Sequence, residues 1–216
     1  MNVNLNAYEG VESLSRFSDQ DFKRYCTVKL ASVEKHIHFI KKHVIHSGYQ
    51  GRVLEIGSGN WKLLFRLEQE GLLEKGVGYE VSQSRCRFAE KFKNYVNSNK
   101  VKIVNEDFLQ AGIIHEGVDL VIGVDIVINL IGGGGADLID NCIRLAKENI
   151  KQGTIIFEFE TFERERASIR DSEMACTKIW KQFQDSDRFI YGLDELSEKS
   201  GVINWKKIFI LGCINE

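Results

Sequence analysis

Val53-Leu54-Glu55-Ile56-Gly57-Ser58-Gly59-Asn60-Trp61 runs from an apolar segment straight into two glycines, and an amphipathic stretch carrying Leu63, Leu64 and Leu67 follows from Lys62. The pattern reads as strand, tight turn and helix. Gly57 and Gly59 allow backbone angles closed to other residues and leave bare peptide for a ligand to lie against. The helix behind them offers its N-terminal amides, so the turn suits a nucleotide-sized ligand. A dinucleotide-binding fingerprint asks for a third glycine where helix and strand pack closely. Lys62 stands there instead, which weighs against an NAD-linked oxidoreductase.

Outward from this turn, strands and helices alternate. Strands are expected at 52–56, 76–81, 101–105, 118–124 and 154–160, with helices at 62–70, 84–95 and 136–149 between them. Such alternation predicts an α/β fold with a mostly parallel, doubly wound sheet and ligands at the carboxyl ends of its strands. Upstream, Ser18 with Asp19 and Asp21 reads as a capped helix start. The helical stretch continues to about His46 on an apolar face of Tyr25, Val28, Val33, Ile37, Ile40 and Val44, with a break near Ala31 and Ser32. Residues 1–50 therefore form an N-terminal helical extension, suited to a lid or a homodimer surface, and residues 51–216 the main domain. Beyond strand five the sequence predicts a charged helix over 163–183, a short helix over 193–200 and a long strand over 204–214.

A chain of 216 residues, 43% hydrophobic and 28% charged, is long enough for one core and short for two. A net charge of -2 gives no general attraction to nucleic acid or anionic membrane. The polar start lacks the basic and apolar regions of a secretion signal, and no apolar run approaches the ~20 residues of a bilayer span. A cytoplasmic protein with no membrane partner is expected. The five cysteines, Cys26, Cys86, Cys142, Cys176 and Cys213, are scattered and contain no CxxC pair, so they suggest neither a disulfide framework nor a zinc site.

The opening run resembles motif I of the class I S-adenosylmethionine (SAM) dependent methyltransferases, a Rossmann-like family, with Glu55 as its acid and Gly57 and Gly59 as its glycines. Their third glycine is optional, and Trp61 stands near that position. Gly78-Tyr79-Glu80, followed by Phe88-Ala89-Glu90, is similar to motif II; Glu80, about 20 residues beyond Gly59, suits a carboxylate accepting two ribose hydroxyls. Glu106-Asp107-Phe108 resembles the family text in which an Asp accepts from the adenine amine and the next residue covers the ring. Asp125-Ile126-Val127-Ile128-Asn129-Leu130 is similar to small-molecule methyltransferase text that carries a His where Asn129 stands. The resemblance implies SAM as cofactor, held by Glu55, Gly57, Ser58, Gly59, Trp61, Glu80, Val81, Asp107, Phe108 and Asp125.

Proline is absent from the whole chain. The Pro-Pro-aromatic motif of enzymes methylating base amines and the Pro-Cys nucleophile of cytosine enzymes are thereby excluded, so DNA is not an expected substrate. Methyl transfer from a sulfonium needs mainly an aligned nucleophile, and alignment supplies roughly 7–11 kcal/mol of barrier reduction. Asp125, Asn129 and Glu158 are the catalytic candidates. Glu160 or a histidine of the N-terminal helix are further choices for a base, although the amide of Asn129 cannot take up a proton.

Four histidines, His36, His38, His43 and His46, share one segment, and His36 is the candidate for a substrate contact. Arg166 and Arg170, with Glu163, have the spacing of a salt-bridged helix face and, more sharply, of an anion clamp. The Asp-Asn pair usual after strand five in metal-dependent members is missing, so no metal is assigned. The reading is transfer of a methyl group to oxygen or nitrogen of a small metabolite, which the arginines would allow to be anionic or phosphorylated. An RNA or protein methyltransferase is the rival, with an oxidoreductase and a non-catalytic SAM-fold partner protein behind it.

Overall fold

The computed structural model describes residues 12–45, 48–111, 117–124, 136–150, 153–162, 189–196 and 205–214. Two compact units divide them, one within residues 4–112 and one within 113–216.

In the first unit a 3-10 turn (Leu14–Arg16) precedes two helices, α1 (Asp19–Ala31) and α2 (Glu34–His43), so the expected break falls at Ser32 and Val33. Ser18 caps α1 as the sequence predicts, its hydroxyl accepting from Asp21 N–H at 3.2 Å. Three strands follow: β1 (Arg52–Ile56), β2 (Lys75–Tyr79) and β3 (Val101–Val104), alternating with α3 (Lys62–Gln69), α4 (Gln83–Tyr95) and a short α5 (Phe108–Ala111). The strands are parallel, with Glu55 opposite Gly78 and Gly78 opposite Ile103. Leu63, Leu64, Phe65 and Leu67 of α3 are buried, as their spacing requires. Phe22 of α1 joins that core, its ring 5.0 Å from Phe88 of α4. The N-terminal helices are thus built into the same core as β1 to β3.

In the second unit, β4 (Leu120–Val124) pairs in parallel with β5 (Gly153–Phe162), and α6 (Ala136–Glu148) lies between them in sequence. Leu120, Val121 and Ile122 are buried, the pattern of a strand covered on both faces. Two further strands, β6 (Phe189–Leu196) and β7 (Trp205–Ile214), complete the ladder, with β7 antiparallel to both β5 and β6.

β6 corrects the expectation of a helix over 193–200. The Leu-Asp-Glu-Leu text there favours a helix locally, but Leu193, Asp194 and Glu195 pair with Ile208, Lys207 and Lys206 of β7. A ladder that satisfies a long strand's second edge outweighs propensities worth tenths of a kcal/mol per residue. The helix expected over 163–183 lies outside the described residues. Cys26, Cys86 and Cys142 are buried and in no disulfide, in keeping with their reading as small apolar side chains. Among the described residues no helix is long and apolar enough to cross a membrane.

Candidate active site

The turn between β1 and α3 departs from ordinary backbone at three residues. Gly57 and Gly59 have φ of 68° and 59°, and Trp61 has φ of 59°. A residue with a side chain loses about 1–2 kcal/mol in that left-handed region. Trp61 tolerates it because its ring is fully buried, and removing ~200 Å² of aromatic surface from water is worth about 5 kcal/mol. Burial therefore wins over strain, and the indole becomes a fixed wall of the turn.

The opposite wall is Gly78. A Cβ built there would stand less than 3.0 Å from the Trp61 indole nitrogen and from Ser58 Oγ. The absent side chain on β2 is what admits both groups, a close approach that only glycine permits. Ser58 Oγ itself donates to the Glu55 carbonyl at 3.1 Å.

Glu55 is 4% exposed, and its Oε2 has no hydrogen-bond partner. Burial pushes its carboxyl up to about 8, against partial opposition from Ser58 and Lys62 and with support from the neighbouring Glu80 charge. A buried acceptor left open beside a glycine turn fits a cationic ligand group, which would both satisfy it and favour its ionised form.

Glu80 lies just past the end of β2, 6% exposed, where the sequence puts an acid. Its Oε2 accepts from Gly59 N–H at 2.9 Å and its Oε1 from Ser82 N–H at 2.9 Å, so the carboxylate ties the turn to the start of α4. Several amides of the turn are correspondingly committed. Besides Gly59, Trp61 N–H donates to Ser58 O at 2.9 Å and Lys62 N–H to Asn60 Oδ1 at 3.2 Å. Lys62 N–H, the first of the expected helix-start donors, is thus engaged within the protein, and the buried carboxylates carry much of the ligand-facing chemistry.

Asp107 caps α5, accepting from Leu109 N–H at 3.0 Å through Oδ1 and from Gln110 Nε2 at 3.0 Å through Oδ2. Phe108 is buried with its ring 5.4 Å from that of Tyr79. Asn105 donates through Nδ2 to the carbonyls of Glu80 (2.9 Å) and Val81 (3.1 Å), joining the end of β3 to the end of β2. Replacing Asp107 by Ala should cost about 1 kcal/mol through the lost cap; a chemical-denaturation midpoint equal to that of wild type would contradict it.

His36 sits on α2, 5% exposed beside the core residues Ile37 and Ile40, and so presents little surface to a substrate. Glu158 is opposite Val124, the last residue of β4, in the β4–β5 register. Asp125, Asn129, Arg166 and Arg170 lie outside the described residues. Sequence reasoning passed over Glu12, Tyr25, Asn60 and Arg85, which surround the turn through hydrogen bonds and charge. Glu12 and Asn60 are 48 positions apart, and no local pattern joins them. A groove of about 710 Å³ lined by Arg52, Lys75, Lys100 and Lys102, among others, is found where β1 and β2 begin, at the strand ends opposite the turn.

No protein-family model and no curated relative matches the sequence. Solved structures do. Magnesium protoporphyrin IX methyltransferase from Synechocystis, with bound SAM, aligns over 92% of this chain and 86% of its own at 16% identity and a TM-score of 0.57. Geranyl diphosphate C-methyltransferase from Streptomyces coelicolor, in complex with magnesium, geranyl diphosphate and S-adenosylhomocysteine (SAH), aligns over 84% and 77% at 10% identity and a TM-score of 0.59. The chain has the class I methyltransferase fold. An rRNA methylase from Streptococcus thermophilus shares it, over 85% of this chain and 96% of its own, at 10% identity and a TM-score of 0.56. Within the first unit β2 lies between β3 and β1, and within the second β4 pairs with β5, all in parallel, in keeping with the mostly parallel sheet predicted from the alternation of elements. At such identities the methyltransferase fold is what the likeness establishes, and the three proteins' different acceptors leave the choice of substrate to other residues.

Proposed function

We propose that this chain is a SAM-dependent methyltransferase acting at oxygen or nitrogen of a small metabolite. The observation that carries the reading is Glu55 Oε2, a buried carboxylate oxygen without a partner beside the glycine turn of a methyltransferase fold. Glu55 would take the ammonium group of the cofactor, Glu80 its ribose hydroxyls, and Asp107 with Phe108 its adenine, while Gly57, Ser58, Gly59, Trp61 and Val81 line the cradle. Bound there, SAM supplies a methyl group already activated by the sulfonium charge. The protein's own share is to orient the acceptor and exclude water, with Asp125 or Glu158 receiving a proton where the acceptor must lose one and Asn129 orienting it. Arg166 and Arg170 support an anionic acceptor.

Titration calorimetry with SAM and SAH tests this. Both should bind in the micromolar range, and Glu80→Ala or Gly57→Arg should weaken them by about tenfold or more, the scale of a lost charge-assisted hydrogen bond or a blocked turn. Binding of NADH with no response to either ligand would overturn the assignment.

A further inference from the structure

Glu12 precedes the first helix, yet its side chain is 7% exposed. Its backbone is in the left-handed region, with φ of 60°, a strained state for a non-glycine residue that persists only where surrounding contacts outweigh it. Those contacts are specific. Oε1 accepts from the Tyr25 hydroxyl and from Asn60 Nδ2, each at 2.6 Å. Oε2 lies 3.9 Å from Arg85 Nε. The same guanidinium lies 3.8 Å from Glu80 Oε2, through its other arm.

One cation thus stands between two buried carboxylates, within ion-pair range of both and beyond direct hydrogen-bond length from either. A shift of about 1 Å would close Arg85 onto Glu80 as a direct salt bridge. Closure would take up lone pairs that Glu80 needs for a ligand hydroxyl, whereas the Glu12 charge draws the guanidinium the other way. Through Asn60, whose Oδ1 accepts from Lys62 N–H, Glu12 also fixes the exit of the glycine turn into α3.

We propose that Glu12 is a positioning residue for the cofactor site: its charge balances Arg85 against Glu80 and so keeps the ribose-facing carboxylate available. The inference rests on the SAM reading given above. It assigns a function in binding to the segment ahead of α1 and to a residue far in sequence from every motif.

The test is SAH binding by titration calorimetry to wild type, Glu12→Gln, Arg85→Ala and the double variant, with melting temperatures measured alongside. Gln keeps an acceptor for Tyr25 and Asn60 and removes only the charge. Glu12→Gln should weaken SAH binding about tenfold, the scale of one charge-assisted bond, and adding Arg85→Ala should restore it to the level of Arg85→Ala alone. A merely structural Glu12 would leave the double variant at least as weak as Glu12→Gln. That outcome, or unchanged affinity in Glu12→Gln, overturns the proposal. Wild type that binds neither SAM nor SAH overturns the methyltransferase reading itself, and this inference with it.

Discussion

Gly78→Ala should destabilise the chain by about 3 kcal/mol, at the upper end of what overpacking a core costs. The added methyl would fall less than 3.0 Å from Trp61 Nε1 and Ser58 Oγ. Neither neighbour has room to yield. The indole is fully buried, and Ser58 Oγ is held by the Glu55 carbonyl. The strand cannot retreat either, because β2 is paired on both sides, with β1 and with β3. Gly71→Ala is the informative comparison: a Cβ there meets nothing within 4 Å, and only its φ of +71° opposes the change. That substitution should cost about 1 kcal/mol, the left-handed penalty alone. Urea-denaturation midpoints of the two variants against wild type measure the difference; equal midpoints for Gly78→Ala and Gly71→Ala would show that the Trp61 wall is not packed as described.

Glu55→Gln should change the pH dependence of stability more than any other single substitution in the turn. Burial raises the Glu55 carboxyl from 4.5 to about 8. Between those values the folded chain holds a proton that the unfolded chain has released, so stability falls as pH rises through that window and levels off above it. The difference is on the order of 3–5 kcal/mol at pH 8 for a fully buried group. Gln carries no titrating proton, so the variant should be flat across the same range and more stable than wild type at its alkaline end. Denaturation midpoints at pH 5, 6.5 and 8 decide the matter, and parallel profiles for the two proteins would sink it. The same substitution removes the anionic partner assigned to the cofactor's ammonium. Gained alkaline stability together with lost SAM affinity would mark Glu55 as a residue kept for binding at a cost in stability.

Much of the first unit was legible from pattern alone. The 2-residue and 3.6-residue periodicities placed β1, α3, β2, α4 and β3 within a few residues, because each element buries one apolar face regardless of its distant neighbours. Ser18 announced α1 through a cap, a local hydrogen bond with a local signature. Asp107 illustrates where such signals stop. An acid at the end of β3 was expected to face a ligand, and it also caps α5, a second use its sequence position does not separate from the first. β6 marks a different limit. Its helix-favouring text was overridden by pairing with a strand some 15 residues downstream, and long-range pairing leaves no period in the paired segment itself.

The sequence by itself determined the succession of elements, the glycine turn and the acids at the ends of β1 and β2, since these depend on neighbours a few residues apart. Only the tertiary structure decided what those residues face. It set the Trp61 indole over Gly78, left Glu55 Oε2 buried without a partner, committed the amides of Ser58, Gly59, Trp61 and Lys62 to protein acceptors, and brought Glu12 to Asn60 and Arg85. Each of these is a contact between residues that no local rule relates, fixed by the packing of α1, α3 and α4 with the first three strands, and so invisible until the chain is folded.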